Sequence, residues 1–113
     1  MGILSAIGGK VKSVAKDATA YVDGDSNSIF ELECAGGPVD KPEVAQAQRT
    51  WLNSYFAAMQ PLVQKEAYVN CPTRDLPDWA DAYYGTNLPR LRKIKSKYDP
   101  QNVFTFAQSI PQA

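Results

Sequence analysis

Residues 28–63 read SIFELECAGGPVDKPEVAQAQRTWLNSYFAAMQPLV, and this stretch decides the fold class. From Ser28 to Cys34 the residues alternate: Phe30, Leu32 and Cys34 point one way, Ile29, Glu31 and Glu33 the other. A period of two marks a strand with one buried face and one mostly wet face. Ala35-Gly36-Gly37-Pro38 closes the strand. Asp40 is then placed to cap a helix, Pro42 suits the first turn, and Glu43 favours the positive end of the helix dipole. Val44, Ala47, Trp51, Leu52, Tyr55, Phe56, Met59, Leu62 and Val63 recur at three- and four-residue spacing, and Pro61 ends or kinks the helix they describe. The stripe Trp51, Tyr55, Phe56 reads as core against a sheet rather than as a ligand box.

Working outward, the turn cluster Asp23-Gly24-Asp25-Ser26-Asn27 predicts a hairpin between about 18–22 and 28–34. Downstream, Glu66 to Cys71 reads as a second strand. A short helix beginning near Pro77 carries Trp79, Ala82 and Tyr83, with Gly85 as its stop. Asn87 caps a further helix with Pro89 just inside and Leu88, Leu91 and Ile94 as its apolar row; Asp99-Pro100 ends it. Val103-Phe104-Thr105-Phe106 reads either as a strand or as an extended tail. The expected fold is α+β: a small antiparallel sheet of three to four strands with helices packed on one face.

A length of 113 residues allows one domain and a modest core. Twelve basic and twelve acidic residues cancel, which argues against a globally basic nucleic-acid binder. No run is long enough to span a bilayer, and the short apolar patch Ile3 to Ile7 lacks the flanks of a signal peptide, so a cytoplasmic protein without membrane association is expected. Histidine is absent, which removes imidazole bases, Ser-His and Cys-His pairs and most catalytic zinc sites. Cys34 and Cys71 read as reduced thiols packed as small hydrophobes, with a single bridge as the alternative.

Three groups of residues could carry chemistry. Arg90, Arg92, Lys93, Lys95 and Lys97 crowd one helix; a phosphate contact is one reading, and a solvated face near the negative helix end is the other. Asp23 and Asp25, and Asp75, Asp78 and Asp81, lack the calcium-loop pattern and serve turns and caps, so no metal is expected. Phosphate-loop and dinucleotide fingerprints are missing at Gly8-Gly9 and Gly36-Gly37. The third group is Tyr68, Asn70 and Cys71, followed by Asp75 and by Trp79, Tyr83 and Tyr84. It reads as a pocket wall or as core plus turn.

The order of residues from Ala67 onward carries a resemblance. Ala67-Tyr68-Val69-Asn70, Asp75-Leu76, Trp79 and Tyr83-Tyr84-Gly85-Thr86-Asn87 come first. Leu91, Lys95, Lys97-Tyr98-Asp99-Pro100, Asn102-Val103-Phe104 and Gln108-Ser109-Ile110-Pro111 follow. The set resembles the C-terminal module of berberine-bridge-enzyme-like oxidoreductases. Gly8-Gly9 and Asp17-Ala18-Thr19-Ala20-Tyr21 look like the part of that family's substrate domain before the module. The resemblance implies a single domain, 1–113, in which 1–66 is a partial substrate-domain segment (hairpin plus long helix) and 67–113 the berberine-like module.

In that family a much longer chain binds FAD through its N-terminal half, commonly by links to a histidine and a cysteine. Substrate lies between an antiparallel sheet and the flavin. The resemblance implies that Tyr68, Asn70, Trp79, Tyr83 and Tyr84 bind substrate, possible ligands being hydrophobic small molecules. Many members read Tyr-x-Asn-Tyr, the second tyrosine being a candidate base; here that place is held by Cys71, and Asp23-Gly24 stands where the family has His-Arg. Cys71 and Tyr68 are therefore the candidate catalytic pair, though a thiol is shorter than a phenol. The implied function is a stand-alone binding or assembly module with no cofactor of its own. The alternatives are one subunit of a split FAD oxidoreductase, and a small non-redox cyclase or isomerase. The implied partner is a second copy, making a homodimer, or an FAD-domain chain.

Overall fold

Strand β2, Ser28–Leu32, forms where the alternation predicts it, but its partner is not 18–22. It pairs antiparallel with β1, Gly2–Ala6, in the register Gly2 with Leu32, Leu4 with Phe30 and Ala6 with Ser28. The pairing extends beyond β1 and β2 through Glu33 N–H to Met1 O at 2.9 Å. Gly2 permits the close approach: a Cβ there would come within 3.2 Å of the Phe30 ring. The computed structural model describes residues 1–22, 24–37 and 41–113. Asp23, Pro38 and the expected cap Asp40 lie outside them; Lys41 holds the N-cap position of α1, Pro42–Met59, without a side-chain cap bond. A single 3-10 turn, Gln60–Leu62, follows α1 and carries Pro61.

Two compact units form. The first takes Met1–Ala6 and Ser28–Lys65, the second Ile7–Asn27 and Glu66–Ala113. In the first, α1 meets the sheet through Phe30 and Tyr55, whose rings stand 6.3 Å apart. Leu52, Phe56 and Met59 are half-buried, whereas Trp51 and Tyr55 remain 46% and 39% exposed. The aromatic stripe is thus not the core the spacing predicts. A single hairpin is too narrow to cover two adjacent rows of a helix, so only one row is sheltered.

In the second unit α2, Trp79–Tyr84, and α3, Leu88–Tyr98, are joined by a 3-10 turn at Gly85–Asn87. The most buried apolar side chains of the described residues are here: Val22 at 4% and Tyr83 at 3% exposed. Gly85 ends α2 as its punctuation predicts, with φ +45°, a conformation that favours glycine. Asn87 does not cap α3. Its side-chain amide, 6% exposed, donates instead to Lys16 O at 2.8 Å and Thr19 O at 3.1 Å. This is why 18–22 is no strand: Ala18 N–H turns back to Ala15 O, and the neighbouring carbonyls are claimed by Asn87.

Glu66–Cys71 is no strand either. Cys71 N–H closes a turn on Tyr68 O, and Ala67 N–H bonds Ala82 O of α2, both at 2.9 Å. The sheet of the described residues therefore has two strands rather than three to four, within an α+β fold. The last stretch is the extended alternative, wound about the end of α3. Asp99 accepts from Lys95 Nζ, Val103 N–H (2.8 Å) and Phe104 N–H (3.0 Å). Gln112 donates to Asp99 O and Pro100 O, and accepts from Arg92 at 2.9 Å. The Lys95 ammonium beside Asp99 holds its carboxyl below the usual carboxylate range, with the two backbone donors adding to the effect.

Candidate functional site

The turn at 68–71 brings Tyr68 and Asn70 together without a strand: Asn70 Nδ2 donates to the Tyr68 hydroxyl at 2.9 Å. Asn70 occupies one lone pair of that oxygen and leaves the phenolic proton to donate. The Tyr68 ring stands edge-on to Tyr21, centroids 6.0 Å apart and planes at 90°. Such pairs favour the positive edge of one ring over the negative face of the other. Spacing alone does not single out Tyr21; its signal in the sequence is its place in the Asp17–Tyr21 run of the upstream resemblance. Cys71 follows in the same turn, exposed and without a disulfide, as is Cys34. Neither thiol is packed as a small hydrophobe, because each lies on an irregular segment at the surface. The Cys34 Sγ approaches Gln48 O at 3.7 Å.

Trp79, Tyr83 and Tyr84 are gathered by α2. Trp79 and Tyr83 lie 6.2 Å apart, Tyr83 and Tyr84 6.3 Å apart. Tyr83 is nearly sealed, and its hydroxyl accepts from Thr73 N–H at 3.1 Å and faces Gln108 Oε1 at 3.5 Å. Gln108 Nε2 in turn donates to Thr73 O at 2.8 Å. Tyr83 thereby fixes the loop after Cys71 and the C-terminal segment to one helix. Burial, and next the Tyr83 phenol beside it, push the Tyr84 hydroxyl above its ordinary pKa. Trp79 and Tyr84 stay half-buried and present ring surface.

The basic residues of α3 are mostly committed to holding the chain. Arg90 donates to Asp17 O at 3.3 Å, Arg92 to Gln112 O, and Lys95 to Asp99 and Phe104 O. Lys97 lies 5.1 Å from the centre of the Tyr98 ring. Four of the five cations thus have partners within the chain, which favours the reading as a structural helix face over a polyanion contact. Among the described residues no group of acidic and sulfur ligands could hold a metal, and no helix is long and apolar enough to cross a membrane.

Depressions among the described residues include one in each unit. One, of about 830 Å³, runs along a single face of α1 beside Pro42, Glu43, Gln46, Ala47, Thr50 and Trp51. The other, of about 170 Å³, lies beside Tyr21 in the second unit. Neither lining fits FAD: no cation faces the diphosphate in either, and the smaller is below the several hundred Å³ that drug-sized molecules need. The second unit holds the candidate residues in two groups, Tyr68 with Asn70 and Tyr21, and Trp79 with Tyr83 and Tyr84.

Comparison with known proteins gives this arrangement a context. Residues 67–111 match the family described as "Berberine and berberine like". An uncharacterised FAD-linked oxidoreductase of Bacillus subtilis, YvdP, is 38% identical over 104 residues, covering 92% of this chain and 22% of its own. Reticuline oxidase of Papaver somniferum is 27% identical, with 96% and 24% covered. Among solved structures, a variant of Physcomitrella patens BBE-like 1 superposes with a TM-score of 0.73 at 30% identity, over 90% of this chain and 21% of that one. The chain spans between a fifth and a quarter of the length of these relatives.

Proposed function

We propose that the chain is a binding and assembly module of an FAD-linked oxidoreductase, a reading supported by the match of residues 67–111 to the berberine and berberine-like family and by the chain's likeness to a portion of such oxidoreductases. In this reading it supplies one aromatic wall of a substrate site, and FAD is held by polypeptide outside these residues. The Tyr68–Asn70 hydrogen bond, set in the turn before Cys71 and against the Tyr21 ring, carries the reading. It fixes a phenolic donor beside an aromatic ring, and a small-molecule site requires such a polar point for orientation. Cys71 stands beside that donor in sequence but has a shorter reach than a phenol. The module therefore orients and shelters substrate, and redox chemistry belongs to the flavin of its partner.

The test begins with the 113-residue chain and FAD alone, where no flavin absorbance should co-elute with the protein. The Bacillus subtilis relative lacking its matching segment and loaded with FAD is then added. A yellow complex containing both polypeptides is expected, and light scattering separates it from a homodimer of the chain. Tyr68→Phe should leave the complex intact but slow flavin reduction by an oxidisable aromatic alcohol about tenfold to a hundredfold. Stoichiometric FAD binding by the chain alone, or failure of the flavoprotein to retain it, overturns the proposal.

A further inference from the structure

We propose that the depression beside Tyr21 is an apolar subsite that takes one six-membered hydrocarbon ring of an uncharged ligand, one ring away from Tyr68. Its volume is about 170 Å³, and its lining is Val11, Val14, Ala15, Thr19, Tyr21 and Gly24. Four of these offer only aliphatic carbon or bare backbone. The Thr19 hydroxyl oxygen is engaged, accepting from Tyr21 N–H at 3.2 Å. The hollow opens to solvent, with Val11 and Val14 39% and 37% exposed, and its volume matches one ring. Among the described lining residues no side chain carries a charge to pair with an ionised ligand.

The position of the hollow gives it a use. Tyr21 forms part of its lining and also stands edge-on to Tyr68, whose hydroxyl is held by Asn70 at 2.9 Å. A ring seated against Tyr21 is thereby one ring removed from Tyr68. The inference rests on the reading of the chain as a binding module and adds the class of group it selects: a monocyclic aromatic or alicyclic ring, with any oxygen substituent outside the hollow.

Titration of the 113-residue chain with toluene, followed by NMR, tests this directly. Saturable shifts of the Val11 and Val14 methyls and of the Tyr21 ring are expected, with a dissociation constant on the order of 1 mM. Sodium benzoate should bind at least about tenfold more weakly, and Ala15→Leu, which fills the hollow, should weaken toluene by about tenfold or more. Val14→Ala enlarges the hollow and should move the preference toward indole by about fivefold. Shifts confined to α1, equal binding of toluene and benzoate, or unchanged binding in both variants would overturn the subsite. Toluene binding without flavoprotein association would defeat the assembly reading alone; association without toluene binding would defeat only the subsite.

Discussion

Asn87 is the side chain on which the second unit most visibly depends, and its replacement tests the account of the fold. Its amide sits 6% exposed and spends both hydrogens on the carbonyls of Lys16 and Thr19, some seventy residues back in the chain. Asn87→Ala leaves both carbonyls without that donor. At about 1–1.5 kcal/mol for each buried hydrogen bond, the loss is about 2–3 kcal/mol. In a domain of this size that lowers the melting temperature by about 10 °C. Asn87→Asp keeps the shape but turns a carboxylate oxygen toward two carbonyl oxygens, so it should cost more than alanine at about pH 7. The charged form is disfavoured only in the fold, which raises that carboxyl's pKa above its unfolded value of about 3.9. Its extra destabilisation is full above the folded pKa and fades as pH falls through it. Melts followed by circular dichroism at about pH 7 and about pH 4 should therefore show the aspartate variant gaining on the alanine variant in acid. Limited trypsin digestion supplies the local readout, because Lys10, Lys12 and Lys16 should become cleavable in both. An alanine variant that melts within about 2 °C of the parent, with no new cleavage, would refute the reasoning.

Three further outcomes are expected. Gly85→Ala puts a Cβ 3.1 Å from Val22 Cγ2 on a residue with φ +45°, and should cost about 1–2 kcal/mol in chemical denaturation. The Asp99 carboxyl, lowered chiefly by its bond to Lys95, contributes stability that is present above its unfolded pKa and is lost as pH falls through the folded one. Protection of the Val103 and Phe104 amides from exchange, relative to their intrinsic rates, should therefore fall first on acidification, and Asp99→Asn should remove that acid dependence. Tyr84, raised by burial and by Tyr83, contributes stability that is present below its unfolded pKa and lost as pH rises through the folded one. Spectrophotometric titration should show a late phenol that Tyr84→Phe deletes.

The helices were legible because their signals are local. Pro42, Gly85 and Asp99-Pro100 punctuate apolar repeats: α1 begins at Pro42, and α2 and α3 end just before Gly85 and Asp99. Strand pairing is a long-range choice, and the alternation at 28–32 did not reveal its partner. Proximity favoured 18–22, whereas the ladder formed with Gly2–Ala6. Asn87 shows the same limit. A polar residue before a helix signals a cap, yet here the amide serves a loop far back in the chain. At the site, Tyr68 and Asn70 were candidates from their order, but the contact with Tyr21 and the Tyr83 clamp on Thr73 depend on folding between distant segments.

The placement of Ile7–Asn27 has a consequence for the order of events on the ribosome. The two strands that bracket this segment, β1 and β2, have both been synthesised once residue 32 is made, so their ladder can close early. The segment between them gains its bonds to Asn87 and Arg90 only after residues 87–90 have been made. Until then the carbonyls of Lys16, Asp17 and Thr19 lack those donors. Contacts of such long sequence separation form slowly. The aromatic hollow and the Tyr68 turn therefore assemble last, and a chain stalled before α3 would carry its hairpin without its site.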